Sequence, residues 1–136
     1  MADTLKLEIV TPEGVVYARD VSMVTLPAVD GQIGVMPHHV PLLTQIAPGE
    51  AIVRENGRET FLAIGEGLVL VMADHVAIVT DMAVAADTID QAKAEEARQR
   101  ATARLRDKLS DEEVASVNAA LARSLAQLKV KRRRSL

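Results

Sequence analysis

The sequence predicts a mainly β protein plus an α part: an N-terminal antiparallel β-sandwich followed by a C-terminal antiparallel two-helix hairpin. Short apolar runs with turn signals about every eight to twelve residues continue as far as residue 86, which is typical of a sandwich or barrel. From residue 87 the apolar period becomes helical, and a capping box divides that part into two helices. We therefore expect a β-sandwich domain at residues 1–86 and a helical hairpin domain at residues 87–136.

The strands of the first part are indicated by alternation and by turn residues. Leu5, Leu7 and Ile9 alternate with polar neighbours, which is the period of a half-buried strand. Asn56-Gly57 lies between two strand-like runs and predicts a tight β-hairpin, because a type I′ turn needs positive φ at both positions. Gly65 and Gly67 lack the third glycine of a dinucleotide-binding loop, so we expect them to relieve crowding in the sheet or to form a bulge.

Two helices are predicted after residue 86, each of about 20 residues. Asp87 or Thr88 can cap the first helix. Its apolar seam is thin and rich in alanine: Ile89, Ala92, Ala97, Ala101 and Leu105. Ser110 and Glu113 form a capping box for the second helix. The apolar face of that helix has helical spacing: Val114, Val117, Leu121, Leu125 and Leu128. The short connection predicts an antiparallel pair.

Composition excludes several classes of function. There is no cysteine, so thiol catalysis and cysteine-based zinc sites are ruled out. The longest apolar run, Leu68–Ala73, has six residues, whereas a membrane span needs about 20. We therefore expect a soluble chain that reaches a membrane only through a partner. With one Tyr, one Phe and no Trp, the chain lacks base-stacking side chains, so no nucleic-acid partner is expected.

Charge is divided unevenly along the chain, and no catalytic motif is present. Residues 1–86 hold 4 Lys/Arg and 11 Asp/Glu, whereas residues 87–136 hold 12 Lys/Arg and 8 Asp/Glu. Such a split suggests two parts with different partners. The sequence has no phosphate-binding P-loop and no nucleophile elbow. The histidines lack metal-ligand spacing. We therefore predict no catalytic residues and no metal site.

The most informative segment is residues 27–43, PAVDGQIGVMPHHVPLL, where glycines, prolines and two histidines interrupt an apolar region. A simple cluster of turns would explain it without a partner. The segment also resembles the signature loop of the epsilon subunit of F-type ATP synthases, through Gly31, Gly34, Val35, Pro37, His39, Pro41, Leu42 and Leu43. The order of sandwich, loop and helical pair extends this resemblance over the whole chain.

The resemblance implies a non-catalytic subunit of the central stalk, at the cytoplasmic face of the bacterial inner membrane. It implies binding to the gamma subunit and the c-ring, and coupling of proton-driven rotation to ATP synthesis. The interface residues it implies are Asp30, Gly31, Gln32, Gly34, Val35 and His39. The competing hypothesis is a stand-alone interaction adaptor, made of a sandwich with a helical arm.

Two regulatory features are also implied by the resemblance. Ile89-Asp90-Gln91-Ala92-Lys93-Ala94 is similar to a family motif for ATP, and the implied weak ATP site comprises Ile89, Asp90, Lys93, Ala94, Arg100 and Arg123. Lys93 replaces the motif arginine and lacks its bidentate fork, so ATP is expected to be at most a weak regulatory ligand. An ordinary first helical turn explains the same residues equally well.

The basic tail at Lys129–Arg134 is the second regulatory feature. In an extended state of the helical hairpin, Arg132, Arg133 and Arg134 would meet the catalytic alpha/beta subunits, with acidic segments of beta as the contact, and would inhibit ATP hydrolysis. The tail could instead complement the dipole at the helix C-terminus. Binding of nucleic acid by the tail is the least favoured alternative, because the N-terminal part is acidic.

Overall fold

The computed structural model describes residues 3–134, with side chains described as far as Arg132. Within these residues the chain forms ten strands: β1 (Leu5–Thr11), β2 (Gly14–Val21), β3 (Met23–Ala28), β4 (Gly31–Val35), β5 (Leu42–Ile46), β6 (Gly49–Glu55), β7 (Arg58–Ile64), β8 (Gly67–Val71), β9 (His75–Thr80) and β10 (Ala83–Ala85). A 3₁₀ helix at Ala86–Thr88 leads to two α-helices, α1 (Gln91–Arg104) and α2 (Asp111–Arg134).

The strands form one continuous sheet in the order β10-β7-β6-β3-β5-β8-β9-β1-β2, with β4 paired to β3. All pairs are antiparallel except β1 with β9, which is parallel. The sheet curls so that strands from both ends of this order share one core of aliphatic side chains. With the two helices that follow, this architecture confirms the predicted fold class. The parallel pair was not indicated by the sequence, because β1 and β9 are far apart along the chain.

Local patterns in the sandwich agree with the sequence analysis. The side chains of Leu5, Leu7 and Ile9 are buried on one face of β1, as their alternation predicts. Asn56 and Gly57 have φ of 52° and 76°, and the strands they join pair as a β-hairpin. The predicted turn is therefore confirmed.

Gly65 and Gly67 are explained by crowding. A Cβ at Gly67 would lie 1.9 Å from the backbone oxygen of Val79, on the neighbouring strand. A Cβ at Gly65 would lie 1.7 Å from the side-chain Oδ1 of Asp81. Both positions therefore exclude larger residues, but Gly67 faces backbone and Gly65 faces a carboxylate.

Helix α1 is shorter than predicted, and its buried stripe is different. It has 14 residues, because residues 86–88 form a 3₁₀ turn and Asp90, not Asp87 or Thr88, is the N-cap. Ile89 is buried but precedes the helix, so it does not set the phase of the helical stripe. The buried alanines of α1 are Ala94 and Ala101, whereas Ala92 and Leu105 are exposed.

Helix α2 begins with the predicted capping box and is longer than expected, at 24 residues. The Glu113 N–H donates to Ser110 Oγ, and the Ser110 N–H donates to Glu113 Oε1, each at 3.2 Å. Leu128 is buried as predicted, but Leu125 is exposed. The buried side of α2 differs from the predicted apolar face because α2 packs against α1 on one side and against β6 and β7 on another.

The helical hairpin is folded against the sandwich. A second apolar cluster fills this contact: Ala63, Met82, Ala86, Ile89, Ala126 and Val130, with Phe61 and Val84 at its edge. Half of the buried members are alanines, so the contact buries little apolar area per residue.

Candidate functional site

The tip of the β3–β4 hairpin is an exposed two-residue turn. Ala28 pairs with Gly31, which leaves Val29 and Asp30 at the tip, both exposed. Gly31 has a φ of +127°, a conformation that residues with a side chain rarely adopt. Gln32 is exposed beside it. This tip can therefore present Asp30 and Gln32 to a partner, on a backbone shape that depends on glycine.

The other two predicted residues of this strand differ from the tip. Gly34 is exposed, and a Cβ there would lie 2.8 Å from the flexible Cε of Met23. Val35 is fully buried in the sandwich core. The side chain of Val35 therefore supports the strand from inside and does not reach the surface.

The two adjacent histidines lie between β4 and β5, and His38 belongs to a turn. His38 has a φ of 69°, and its backbone N–H donates to the Ala73 oxygen at 2.7 Å. Its ring Nε2 lies 3.1 Å from Asp3 Oδ2. His39 is half-buried, and its Nδ1 lies 2.6 Å from the Val40 oxygen. The ring of His39 is thus satisfied by backbone, close to the end of β4.

Strands β5, β8 and β9 carry an apolar outer face, and β5 directly follows the segment with the two histidines. This face consists of three exposed leucines and one exposed valine. The strand register places Leu43 beside Leu70, and Leu68 beside Val79. Met36 and Val40 are exposed in the segment that leads into β5. Exposed apolar side chains that lie next to one another are typical of surfaces for protein–protein contact. This apolar outer face is a candidate docking surface.

The apolar outer face was not predicted, although the sequence carries a signal for it. Leu68–Met72 is apolar at every position, which is typical of a strand covered on both faces. Val69 and Val71 point into the sandwich core, and Leu68 and Leu70 are exposed. A strand that is apolar on both faces, in a chain with one sandwich core, therefore predicts a partner for the second face.

A basic cleft lies where the two helices meet the sandwich. Its volume is about 440 Å³, and its walls include Lys93, Ala94, Arg100, Arg123 and Asp81. Lys93, Ala94, Arg100 and Arg123 belong to the predicted ATP site, and the fold brings these four together. Three cations facing one space suit an anion such as a phosphate group.

Ile89 and Asp90, the remaining residues of the predicted ATP site, have structural roles. Ile89 is buried in the apolar cluster under α2. The Asp90 carboxylate accepts a hydrogen bond from the Lys93 N–H at 3.1 Å and caps α1. Neither residue is among those that line the basic cleft.

Asp81 is a residue of the cleft that the sequence analysis gave no role. Its Oδ2 accepts a hydrogen bond from Nη1 of Arg123 at 3.0 Å, which joins the sandwich to α2. Its Oδ1 is buried and makes no hydrogen bond within the described part of the chain. The position of Asp81 in the sequence, just after a strand, carries no signal of this pairing, because Arg123 is 42 residues away.

The basic tail forms the C-terminal end of α2, which lies beside the first half of α1. Arg132 is exposed, and the predicted contacts of the Arg133 and Arg134 side chains lie outside the described residues. Hydrogen bonding from Arg98 holds the pKa of Glu95 below its usual value, and the positive charge of Arg132 acts in the same direction. In this folded arrangement Arg132 is therefore close enough to Glu95 to stabilise its charge.

No group of three or more histidine, aspartate or glutamate side chains among residues 3–134 could hold a metal ion. Neither described helix is long and apolar enough to cross a membrane.

Solved structures of low sequence identity share the fold. A chain of the Euglena gracilis mitochondrial ATP synthase assembly with OSCP, F1 and c-ring superposes with a TM-score of 0.74 at 23% identity, covering 93% of this chain and 79% of that chain. A chain of the Tetrahymena thermophila mitochondrial ATP synthase central stalk and c-ring gives a TM-score of 0.63 at 14% identity, covering 93% and 96%.

Sequence comparisons identify the family. Curated proteins named ATP synthase epsilon chain are 42% identical in Herpetosiphon aurantiacus, over 93% of both chains, and 41% identical in Halorhodospira halophila, over 93% of this chain and 91% of the relative. The family model for the beta-sandwich domain of the ATP synthase delta/epsilon chain matches residues 4–86, and the model for its long alpha-helix domain matches residues 87–132. The chain therefore belongs to the delta/epsilon chain family of ATP synthases.

Proposed function

We propose that the chain is a non-catalytic subunit of the central stalk of a proton-translocating rotary ATP synthase, at the cytoplasmic face of a bacterial inner membrane. Its role is to couple rotation of the c-ring to ATP synthesis. The observation that carries this proposal is the match of two consecutive family models to residues 4–132. The adaptor hypothesis loses support, because the relatives that align with over nine-tenths of the chain are ATP synthase subunits.

The sandwich supplies surfaces for the two stalk partners. The apolar outer face suits the gamma subunit, because burying Leu43, Leu68, Leu70 and Val79 would remove exposed apolar area from water. The exposed tip at Asp30 and Gln32 suits the c-ring, because a narrow turn that presents exposed polar side chains can reach between the loops of a ring. The two surfaces are joined through the segment that contains His39.

The gamma contact is tested by co-purification with the gamma subunit. Leu70→Glu places a charge on the apolar outer face, where 41% of the leucine is exposed in the free chain. We expect affinity for gamma to fall at least about 100-fold, since burying an unpaired charge is costly. Leu125→Glu is the matched control, because Leu125 is 48% exposed but lies on α2. Equal loss of gamma in both variants would contradict the assignment.

The c-ring contact is tested by the exposed Gln32. Gln32→Ala should weaken association with the c-ring and reduce coupled ATP synthesis, while thermal stability stays the same because the side chain is exposed. Glu59→Ala, at an exposed position on β7, is the control. Unchanged coupling in Gln32→Ala would remove Gln32 from the contact.

The helical hairpin is proposed as a brake on ATP hydrolysis. In an extended state, Arg132, Arg133 and Arg134 would meet carboxylates of the beta subunits, and ATP bound in the basic cleft would favour the folded state. Replacing the three arginines with alanine should raise ATP hydrolysis by the assembled enzyme and leave gamma binding intact. ATP binding should be no tighter than about millimolar, about −4 kcal/mol, because Lys93 replaces arginine. Micromolar affinity by calorimetry would contradict that expectation.

A further inference from the structure

We propose that Asp81 is an internal competitor for the basic cleft: its carboxylate holds Arg123 and keeps the affinity for phosphate-bearing ligands low. The proposal rests on the proposed role of the cleft as a weak ATP site. Asp81 is then the residue that limits how much ligand the cleft binds. Arg123 has two alternative partners, Asp81 and a phosphate group.

The three cations and the carboxylate come from different parts of the fold. Lys93 and Arg100 lie on α1 and Arg123 lies on α2, so the helical hairpin carries the positive charge. Asp81 lies between β9 and β10 and belongs to the sandwich. Docking of the helical hairpin therefore introduces a negative charge into a cleft whose other charged walls are positive.

Asp81 is held in place by the sandwich. Its Oδ1 is buried, and the absence of a Cβ at Gly65 leaves the space that this oxygen occupies. A buried acceptor without a hydrogen bond is unfavourable. The bond from Arg123 reaches the other oxygen, Oδ2, and it pairs the carboxylate with a positive charge.

A phosphate group and the Asp81 carboxylate compete for the same donors. The Arg123 guanidinium binds phosphate best with two parallel N–H groups, and Nη1 already donates to Asp81. A triphosphate in the cleft would also be repelled by the carboxylate. The ligand must therefore displace Asp81 from Arg123 or bind without the full contribution of Arg123.

The test is calorimetric titration of the full chain with ATP and, separately, with inorganic triphosphate. Asp81→Asn keeps the size of the side chain and removes its charge, and we expect both ligands to bind about tenfold more tightly, which equals 1.4 kcal/mol. Asp87→Asn is the matched control, because Asp87 is exposed and does not line the cleft. Its affinities should stay within about twofold of the unchanged chain.

A third variant separates competition for Arg123 from a general effect of charge. In an Arg123→Gln background, Asp81→Asn should give a much smaller gain in affinity, because only the repulsion between the carboxylate and the phosphate groups is then removed. A gain of the same size in that background would overturn the claim that Asp81 acts by holding Arg123. A gain for ATP without a gain for triphosphate would also overturn it, because the competition concerns phosphate charge alone.

The remaining outcomes distinguish this proposal from the proposed site. If the unchanged chain binds ATP and Asp81→Asn binds it equally or more weakly, the competitor role is wrong and the site stands. If neither chain binds either ligand, both fail. Asp81→Ser serves as a second variant, and amide exchange in β8 and β9 verifies that each variant keeps the sandwich folded.

Discussion

The sandwich core and the contact between the sandwich and the helical hairpin are built from different side chains. Leu7, Ile9 and Ile78 are fully buried in the core, together with many other leucines, isoleucines and valines. The contact under α2 depends instead on alanines with a few larger residues. Since a buried Leu or Val contributes roughly 1.5–3 kcal/mol and an alanine far less, the core holds most of the stability. We therefore propose that the helical hairpin can separate from a sandwich that stays folded.

Polar contacts compensate in part for the weak apolar contact. Three side chains spaced four residues apart on α2 reach the segment before α1: Arg123 to Asp81, Gln127 to Met82 Sδ, and Lys131 to the Ala86 oxygen. Such bonds are exchanged readily for bonds to water or to a ligand, because their net contribution is small. The helical hairpin is thus docked in part by polar bonds whose net contribution to stability is small.

The largest expected difference between the two regions comes from the two crowded glycines. Gly67→Ala would place a Cβ 1.9 Å from the backbone oxygen of Val79, and neither strand can move freely. We expect the free energy of unfolding of the sandwich to fall by about 1–3 kcal/mol or more. Urea unfolding followed by circular dichroism measures this loss.

Gly65→Ala is the matched comparison, because its Cβ would meet the side chain of Asp81. A side chain can rotate away, so the bond from Arg123 to Asp81 should break while the sandwich keeps its stability. Relative to the unchanged chain, amide exchange should become faster in α2 and stay the same in β8. If both alanine variants lower sandwich stability equally, the two regions are not separate in the way we describe.

A second comparison uses two fully buried valines. Val76 lies in the sandwich core and Val130 lies under α2, and both have 0% exposure. Val76→Ala should lower the free energy of global unfolding by about 2 kcal/mol through lost burial and a cavity. Val130→Ala should instead speed amide exchange in α2 alone. Equal effects on global unfolding would mean that the sandwich and the helical hairpin unfold as one unit.

Removal of the helical hairpin should have a smaller effect on the sandwich. A fragment of residues 1–86 keeps all ten strands and the whole main core. We expect it to unfold cooperatively and to bind the gamma subunit, because the apolar outer face lies entirely within it. Loss of the cooperative transition in thermal unfolding would show that α2 is needed for the sandwich to fold.

The smallest expected effect is a dependence on pH at the end of the helical hairpin. Arg98 lowers the pKa of Glu95, with help from Arg132, so the folded carboxyl ionises more readily than the unfolded one. The resulting stabilisation is present above the usual glutamate pKa of 4.5 and is lost as the pH falls through the lower folded value. The protection of the amides at the start of α1, taken relative to their intrinsic exchange rate at each pH, should therefore fall below about pH 4.5, and Glu95→Gln should remove that change. Identical pH profiles for the unchanged chain and for Glu95→Gln would contradict this prediction.

Local rules account for much of what could be predicted. The capping box at Ser110 and Glu113 and the turn at Asn56-Gly57 depend on neighbouring residues, so the sequence was sufficient for both. The first helix was predicted too early, because Ile89 was counted as part of its apolar stripe. In the structure Ile89 is buried by α2 and β7 residues that lie far away in the sequence.

The sequence by itself determined the order of sandwich and helices, the exposed glycine-rich turn and the family resemblance, because these depend on period, spacing and residue type along the chain. Only the tertiary structure decided which of the predicted site residues share a space. It placed Lys93, Arg100 and Arg123 around one cleft, buried Val35 and Ile89, and brought Asp81 to Arg123. These relationships depend on how the strands close and on where α2 docks, and contacts across 42 residues leave no periodic signal in the chain.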